Sequence, residues 1–193
     1  MYAKQFQWEA RYAGDDNTLG YANVRKIEGI NTMGIDLSDK NSADDILLTP
    51  DPISFVKELH LPKGRTVIFK LRSQDVLHSA YMPHFRAQMN CVPGMITEFA
   101  FTPTVTTAEM RQTQEMVKKV ENINKIRTEK SKDLVAKGEE ALDPYEFDYL
   151  LICNKICGKS HYNMQMKIIV ETEEEYNAWI KEQQVFKNSL VQN

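Results

Sequence analysis

The sequence predicts a mainly β fold, a β-sandwich or small barrel with a helical insertion and a C-terminal helix. Three observations support this class. Short β-branched and aromatic runs are separated by Pro/Gly turns, the stretch 107–142 is rich in helix-compatible residues, and the tail at 173–188 is amphipathic. Because 193 residues is a usual size for one domain, we expect a single domain over 1–193 with the insertion at 107–142 inside it.

The first half of the chain is predicted to form strands and loops. Phe6 and Trp8 alternate with polar neighbours, which is the pattern of a half-buried strand over 4–12. The Gly, Asn and Asp residues between 14 and 45 indicate surface loops with short strands. Two further strands, each preceded by a Pro/Gly turn, are predicted at 66–71 and 96–101.

The second half begins with a segment of different composition. Residues 107–142 include one Gly, no Pro and many Glu, Lys and Gln residues, so we expect one or two helices there. Few of these residues are apolar, which is typical of a surface insertion. In the tail, Tyr176, Trp179 and Ile180 follow the i, i+3, i+4 spacing and predict the helix at 173–188. Two strands are expected between these helices, at 147–152 and 164–168.

Charge and cysteine content exclude several classes of protein. The 24 Lys and Arg residues and 27 Asp and Glu residues give a net charge of -3, so we expect no nucleic-acid partner. No stretch has the roughly 18 consecutive apolar residues that a membrane span needs. Three cysteines are too few for a disulfide framework.

One short loop concentrates the residues that carry chemistry. Cys153, Cys157, His161 and Met164 lie between two predicted strands, which can direct their side chains toward one point. Thiolate, imidazole and thioether together favour copper, because soft sulfur ligands suit Cu(I) and imidazole accepts both oxidation states. Magnesium and calcium prefer oxygen ligands. The loop therefore predicts a copper site.

Two other interpretations of the loop stay open from the residues alone. Zinc could use both cysteines and His161, but structural zinc sites usually add a second Cys/His pair, and Met is not a usual zinc ligand. A disulfide between Cys153 and Cys157 would close a very small loop and contribute little stability. A mononuclear copper site needs only one cysteine, so the second thiol indicates two bridging thiolates and two copper ions.

Together these features resemble the CuA domain of cytochrome c oxidase subunit II. The resemblance rests on the C-x3-C-x3-H-x2-M spacing from Cys153 to Met164, on Asp75-Val76-Leu77-His78-Ser79, on Val92-Pro93-Gly94, and on the opening Gln5-Phe6-Gln7-Trp8 with Tyr12. It covers most of the chain outside 107–142. The implied fold is a cupredoxin-like Greek-key β-barrel, in agreement with the strands predicted above.

The resemblance also implies a ligand set for a binuclear copper (CuA) centre. Cys153 and Cys157 would bridge both copper ions. The remaining ligands would be His78 and Met164 for one ion, and His161 with the backbone carbonyl of Lys155 for the other. Two shared thiolates on rigid strands would let one electron spread over both metals with little ligand movement.

Other site residues follow from the same resemblance. Phe6 and Trp8 are the candidates for electron uptake, and the apolar Ile152 and Ile156 are expected to keep water from the metals. The family commonly has Glu at the position of Lys155. Only the carbonyl of this residue would bind copper, but an ammonium group cannot ligate a cation, so we expect no side-chain contact to a magnesium ion at the subunit I interface.

By this resemblance, the chain is expected to be the electron-accepting part of a haem-copper terminal oxidase. It would take electrons from cytochrome c, or from a cytochrome c domain, and pass them to the haem of subunit I, so the isolated domain is an electron carrier only. The parent subunit has transmembrane helices that are absent from this chain. The resemblance also implies that the domain lies on the extracytoplasmic (periplasmic) face of the bacterial inner membrane. The alternatives are the CuA module of nitrous oxide reductase and a copper-binding or copper-delivery protein without turnover.

Four further residues of types that can bind metals lie outside the predicted ligand set, and each has another expected role. His60 and His84 have no neighbouring ligand residues in the sequence and are expected to be structural or exposed. Cys91 is expected to pack as a small buried hydrophobe. Asp75 is expected either to orient local backbone or to contribute to an acidic docking surface.

Overall fold

The structure is a computed structural model and describes residues 1–48, 58–183 and 185–186. The strands are β1 (Tyr2–Lys4), β2 (Gln7–Tyr12), β3 (Ile46–Leu48), β4 (Glu58–Pro62), β5 (Val67–Ser73), β6 (His78–Met82), β7 (Ala87–Cys91), β8 (Thr97–Phe101), β9 (Tyr149–Cys153) and β10 (Gln165–Glu171). The helices are α1 (Thr107–Gln112), α2 (Gln114–Ala136) and α3 (Glu173–Glu182). The mainly β class predicted from the sequence is confirmed.

The ten strands form two sheets of five strands each. The first sheet has the order β3-β2-β1-β5-β8, and the second has the order β4-β10-β9-β6-β7. Each sheet contains one parallel pair, β1 with β5 and β4 with β10, and the other neighbours are antiparallel. In the second sheet, β6 and β9 are therefore adjacent although a long segment separates them in sequence.

One buried apolar cluster contains side chains from both sheets. Trp8 and Leu71 come from the first sheet, and Leu151 and Ile168 come from the second. Strands β5, β9 and β10 alternate buried with exposed or half-buried residues, because successive side chains point to opposite faces. Residues at the ends of β6 and β9 are consequently anchored to a packed core.

The prediction of one continuous strand over 4–12 is wrong. The chain reverses at Gln5 and Phe6, and β1 and β2 form an antiparallel hairpin in which Ala3 lies opposite Trp8. The turn has none of the Gly, Asn or Pro signals that usually reveal a two-residue hairpin loop. This reversal moves Phe6 out of the sheet and leaves Trp8 in the core.

Helices α1 and α2 lie within the segment predicted to be helical. Thr106 and Glu109 form a capping box at the start of α1, and Thr113 caps α2. After α2 the chain returns in an irregular segment, 137–148, that leads into β9. Helix α1 begins near the end of β10 that lies away from the Cys/His loop, since Thr107 accepts a hydrogen bond from the Val170 N–H.

The C-terminal helix α3 ends at Glu182, and residues 184 and 187–188 of the predicted helix lie outside the described residues. Its Trp179 stacks on His60 with ring centroids 4.0 Å apart, which fixes the helix to β4. Within the described part of the chain, no helix combines the length and the apolar composition that crossing a membrane requires.

Candidate metal centre

Two neighbouring strands of the second sheet bring the predicted ligands together. His78 begins β6 and Cys153 ends β9, and the two strands pair with Ala80 opposite Cys153. The loop that follows Cys153 is closed where the Cys153 N–H donates to the Met164 carbonyl at 3.0 Å. Strand pairing and loop closure therefore place residues that are distant in sequence at the same end of these two inner strands.

The two thiols occupy the centre of this arrangement. The sulfur atoms of Cys153 and Cys157 are 3.9 Å apart. On one side, the Cys153 sulfur lies 3.8 Å from Nδ1 of His78 and 3.2 Å from the carbonyl oxygen of Lys155. The side-chain donors of His78, Cys153 and Cys157 all lie within 4.8 Å of one another, which is a separation that one metal cluster can bridge.

The other two predicted ligands lie beside Cys157. Its sulfur is 3.5 Å from Nδ1 of His161 and 3.8 Å from Sδ of Met164. A short 3-10 turn over His161–Asn163 presents the imidazole, and Met164 comes directly before β10. All six predicted ligand residues thus have a donor atom in this one cluster.

Most of the cluster is shielded from solvent. His78 and Met164 are essentially inaccessible, both cysteines are buried, and His161 is half-buried. Burial raises the pKa of the Cys157 thiol to about 11, and the adjacent Cys153 adds to the increase. In the metal-free protein, Cys157 is therefore a neutral thiol at neutral pH, and a bound cation must displace its proton.

Asp75 orients one of the imidazoles, a role that sequence reasoning missed. Its Oδ1 lies 2.8 Å from Nε2 of His78, and the carboxylate also accepts hydrogen bonds from the backbone N–H groups of Gln5 and Val76. Burial opposes ionisation of Asp75, but these hydrogen bonds outweigh it and lower its pKa. An ionised Asp75 keeps the proton on Nε2 and leaves Nδ1 of His78 free to bind a metal. The three-residue spacing of Asp75 and His78 across a turn is the signal that could have suggested this pair.

The two candidates for electron uptake lie in different surroundings. Trp8 is buried, and its ring is 6.4 Å from that of His78 in an edge-on arrangement. Phe6 is half-buried and lies against Gly158 in the cysteine loop. Of the two, only Phe6 has surface that a partner could contact.

The expected shielding role of Ile156 is wrong. Its side chain is 88% exposed, while Ile152 is half-buried at the end of β9. Cys153 and Cys157 both point inward from the short loop between them, and the Lys155 carbonyl does so as well. The side chain of Ile156 is left on the outer side of this loop.

The remaining histidines and the third cysteine do not join the cluster. Nδ1 of His60 pairs with Glu171 at 2.8 Å, and His84 packs edge-on against Phe147. Cys91 is fully buried opposite His78 on β7, and burial raises its pKa to about 11. The expectation of a small buried side chain at Cys91 agrees with this position.

The donor set tests which metal the cluster can hold. Two thiol sulfurs, a thioether, two imidazole nitrogens and one carbonyl form a predominantly soft set that fits copper and gives Mg²⁺ or Ca²⁺ almost no oxygen ligands. A four-coordinate structural zinc site would leave the thioether and one further donor unused. The residues present therefore fit a copper centre.

Comparison with known proteins shows which proteins the chain is related to. It is 36% identical over 186 residues to the alternative cytochrome c oxidase subunit 2 of Bradyrhizobium diazoefficiens, a match that covers 96% of this chain and 50% of the relative. The chain is a homologue of cytochrome c oxidase subunit 2. Cytochrome c oxidase subunit 2 of Thermostichus vulcanus is 25% identical over 147 residues, covering 76% of this chain and 32% of that protein.

This chain, as a homologue of subunit 2, spans about half the length of the first of these curated relatives and about a third of the length of the second. Among solved structures, it is similar to the periplasmic domain of subunit II of cytochrome oxidase (CoxB) of Bradyrhizobium japonicum, with 17% identity, a TM-score of 0.42, and coverage of 71% of this chain and 73% of that chain. A haem-copper terminal oxidase dimer matches with 19% identity and a TM-score of 0.37, covering 61% of this chain and 53% of that chain. No protein-family model matches the chain.

Proposed function

We propose that this chain is the electron-accepting domain of a haem-copper terminal oxidase and that it holds a binuclear copper centre. The proposal depends mainly on one observation: two thiols, two imidazoles, a thioether and a backbone carbonyl converge at one end of β6 and β9, where most of them are buried. A mononuclear site would not need both thiols. The homology to cytochrome c oxidase subunit 2 supports the same function.

The proposed ligand assignment follows the resemblance given above. Cys153 and Cys157 would hold both ions, and their sulfur atoms are 3.9 Å apart and form no disulfide. The other ligands are His78 and Met164 for one ion, and His161 and the Lys155 carbonyl for the other. When bound, the pair of coppers supplies reversible one-electron chemistry.

The protein's contribution is to hold these ligands still. His78 and Cys153 belong to paired strands, Met164 is tied by its carbonyl to the Cys153 N–H, and Asp75 fixes the His78 ring. Ligands that are constrained in this way change position little between oxidation states. Buried surroundings also exclude water and contribute to the reduction potential.

The proposed partners are an electron donor and an electron acceptor. Cytochrome c, or a cytochrome c domain, would donate electrons near Phe6, and the ring of the buried Trp8 lies beside that of His78. Subunit I would accept them for its haem. The domain would then work on the periplasmic face of the bacterial inner membrane, joined to the membrane by helices outside this chain. We also propose that 107–142 is an insertion within a single domain and takes no part in metal binding.

Copper loading of the full chain tests the proposal. We expect two coppers per chain that share one unpaired electron, detected by EPR as hyperfine splitting from two equivalent nuclei. Reduced cytochrome c should then transfer electrons to the loaded chain in a stopped-flow measurement. A single bound copper, or zinc alone, would contradict the binuclear centre and favour a copper-storage or copper-delivery role. A binuclear centre that cytochrome c does not reduce would contradict the assignment to an oxidase of this type.

A further inference from the structure

The hairpin turn between β1 and β2 contacts both loops that carry the predicted ligands. The backbone N–H of Gln5 donates to Oδ2 of Asp75 at 2.7 Å. Its side-chain amide Nε2 donates to the carbonyl oxygen of Cys157 at 2.5 Å. These partners are 70 and 152 residues away in sequence, so one residue links the Asp75 turn to the cysteine loop, in addition to the pairing of β6 with β9.

The two hydrogen-bond partners of Gln5 are themselves connected to the proposed metal ligands. Asp75, which accepts the Gln5 N–H through one oxygen, accepts Nε2 of His78 through the other. The Cys157 carbonyl belongs to the residue whose sulfur lies beside His161 and Met164. A displacement of the Gln5 turn would therefore act on donors from both sides of the cluster.

The neighbouring loop has a glycine where the turn needs space. A Cβ atom on Gly158 would lie 2.8 Å from two atoms of the Phe6 ring and 2.9 Å from Nε2 of Gln5, distances that Cβ atoms essentially never show. Gly158 also has a φ of +141°, which disfavours other residues. The cysteine loop is thus shaped to receive the turn in close contact.

We propose that Gln5 is a positioning residue of the metal centre, because its side-chain amide holds the Cys157 carbonyl while its backbone N–H holds Asp75. The inference rests on the proposed function, since it assumes that the cluster binds copper. Gln5 is an exposed residue, so its side chain contributes little to core packing. What it supplies is one hydrogen-bond donor at a defined point of the ligand loop.

A matched pair of substitutions in the full chain tests this role. Gln5→Met keeps the length and the neutral charge of the side chain but removes the donor. Gln7→Met is the control: Gln7 lies two residues further on, and its side chain contacts Glu9 at 3.4 Å instead of a ligand loop. Wild type and both variants are compared first without metal and then after titration with copper alone.

In the metal-free chain, amide hydrogen exchange over 154–163 reports on the loop. We expect exchange about three- to tenfold faster in Gln5→Met and unchanged in Gln7→Met, as the loss of one hydrogen bond predicts. Copper affinity should fall about tenfold in Gln5→Met, which is typical when a residue that supports a metal ligand is lost. The EPR hyperfine pattern of the loaded chain should also change.

The outcomes separate this inference from the proposed function. If Gln5→Met matches wild type in loop exchange, or changes only the melting temperature while affinity and spectrum are unchanged, Gln5 is not a positioning residue and the binuclear centre stands. If wild type does not form a binuclear centre, the proposed function fails. In that case, accelerated exchange confined to Gln5→Met would still support the link from Gln5 to the cysteine loop, and unchanged exchange would overturn it.

Discussion

The two ends of strand β9 are built in contrasting ways. At its C-terminal end, the cysteine loop is held by residues far away in sequence, including Gln5 and Ser79. At its N-terminal end, the segment 107–148 is held largely by its own residues. Asn124 exchanges hydrogen bonds with the backbone of Tyr145 at 3.0 and 2.6 Å. The same helix face makes two more bonds to the return segment, from Arg127 to the Asp143 carbonyl and from the Leu142 N–H to Ser131.

This difference predicts how far the structural effect of a substitution should extend from each end of β9. The cysteine-loop end of β9 combines burial, strand pairing and long-range hydrogen bonds, so a change there should disturb several of the proposed ligands at once. The helical end packs on the domain through α1, Met116 and Phe147, while the outer face of α2 is exposed. Changes to that face should remain local.

Removal of one thiol should have the largest effect. In Cys157→Ser, the sulfur beside His161 and Met164, which is one of the two proposed bridges, is replaced by a hard oxygen, which is a poor ligand for Cu(I). We expect complete loss of the two-copper signal, measured by metal analysis and EPR. Cys91→Ala is the control, because Cys91 is equally buried but is outside the donor cluster. Retention of two coppers sharing an electron in Cys157→Ser would show that this thiol is not a bridge.

Acidification should weaken copper binding strongly. The pKa of Cys157 is raised to about 11 by burial and by the neighbouring thiol, so the group is protonated throughout the neutral range. Binding as a thiolate releases that proton, and apparent affinity should rise about tenfold per pH unit for each proton released. The proton of Cys157 alone should raise the affinity roughly 100-fold between about pH 6 and pH 8, as measured by competition with a Cu(I) chelator. An affinity that does not change with pH would contradict thiolate ligation by Cys157.

Loss of the carboxylate beside His78 should have the next largest effect. Asp75→Ala removes the acceptor for Nε2, so the ring is free to rotate and to change tautomer. We expect copper affinity to fall by about 10- to 100-fold, measured by chelator competition. Asp143→Ala is the control at the helical end, because Arg127 binds the Asp143 carbonyl and not its side chain. Equal affinities in the two variants would mean that Asp75 does not orient the ligand.

The comparison of the two ends also explains what the sequence could predict. The convergence of Cys153, Cys157, His161 and Met164 could be predicted, because four residues in one loop between two strands have few ways to point. The helices within 107–142 could be predicted from composition, and the C-terminal helix from the spacing of its apolar residues, since local sequence largely determines helix formation. His78 required the family motif, because only the pairing of β6 with β9 brings it to the thiols.

The features that sequence reasoning missed depend on long-range contacts. The reversal at Gln5 and Phe6 carries no local turn signal, so the alternation of Phe6 and Trp8 predicted one strand where the chain folds back. The link from Gln5 to the Cys157 carbonyl then follows from that reversal. Ile156 was assigned to the interior by its apolar character, but the inward direction of the flanking cysteines leaves it exposed.

The smallest effect on the metal is expected from the helical end, and this prediction tests the comparison directly. Asn124→Ala removes both side-chain bonds to Tyr145 and leaves two partly buried backbone groups unpaired, which should cost about 1–3 kcal/mol locally. Amide exchange over 137–147 should accelerate, because those bonds hold the return segment on α2. The copper spectrum should be unchanged, since none of the hydrogen bonds that the structure describes for residues 137–147 reaches the cysteine loop or the Asp75 turn. A shifted spectrum in Asn124→Ala would show that the two ends of β9 are coupled through the strand, and the independence inferred from their hydrogen bonds would be lost.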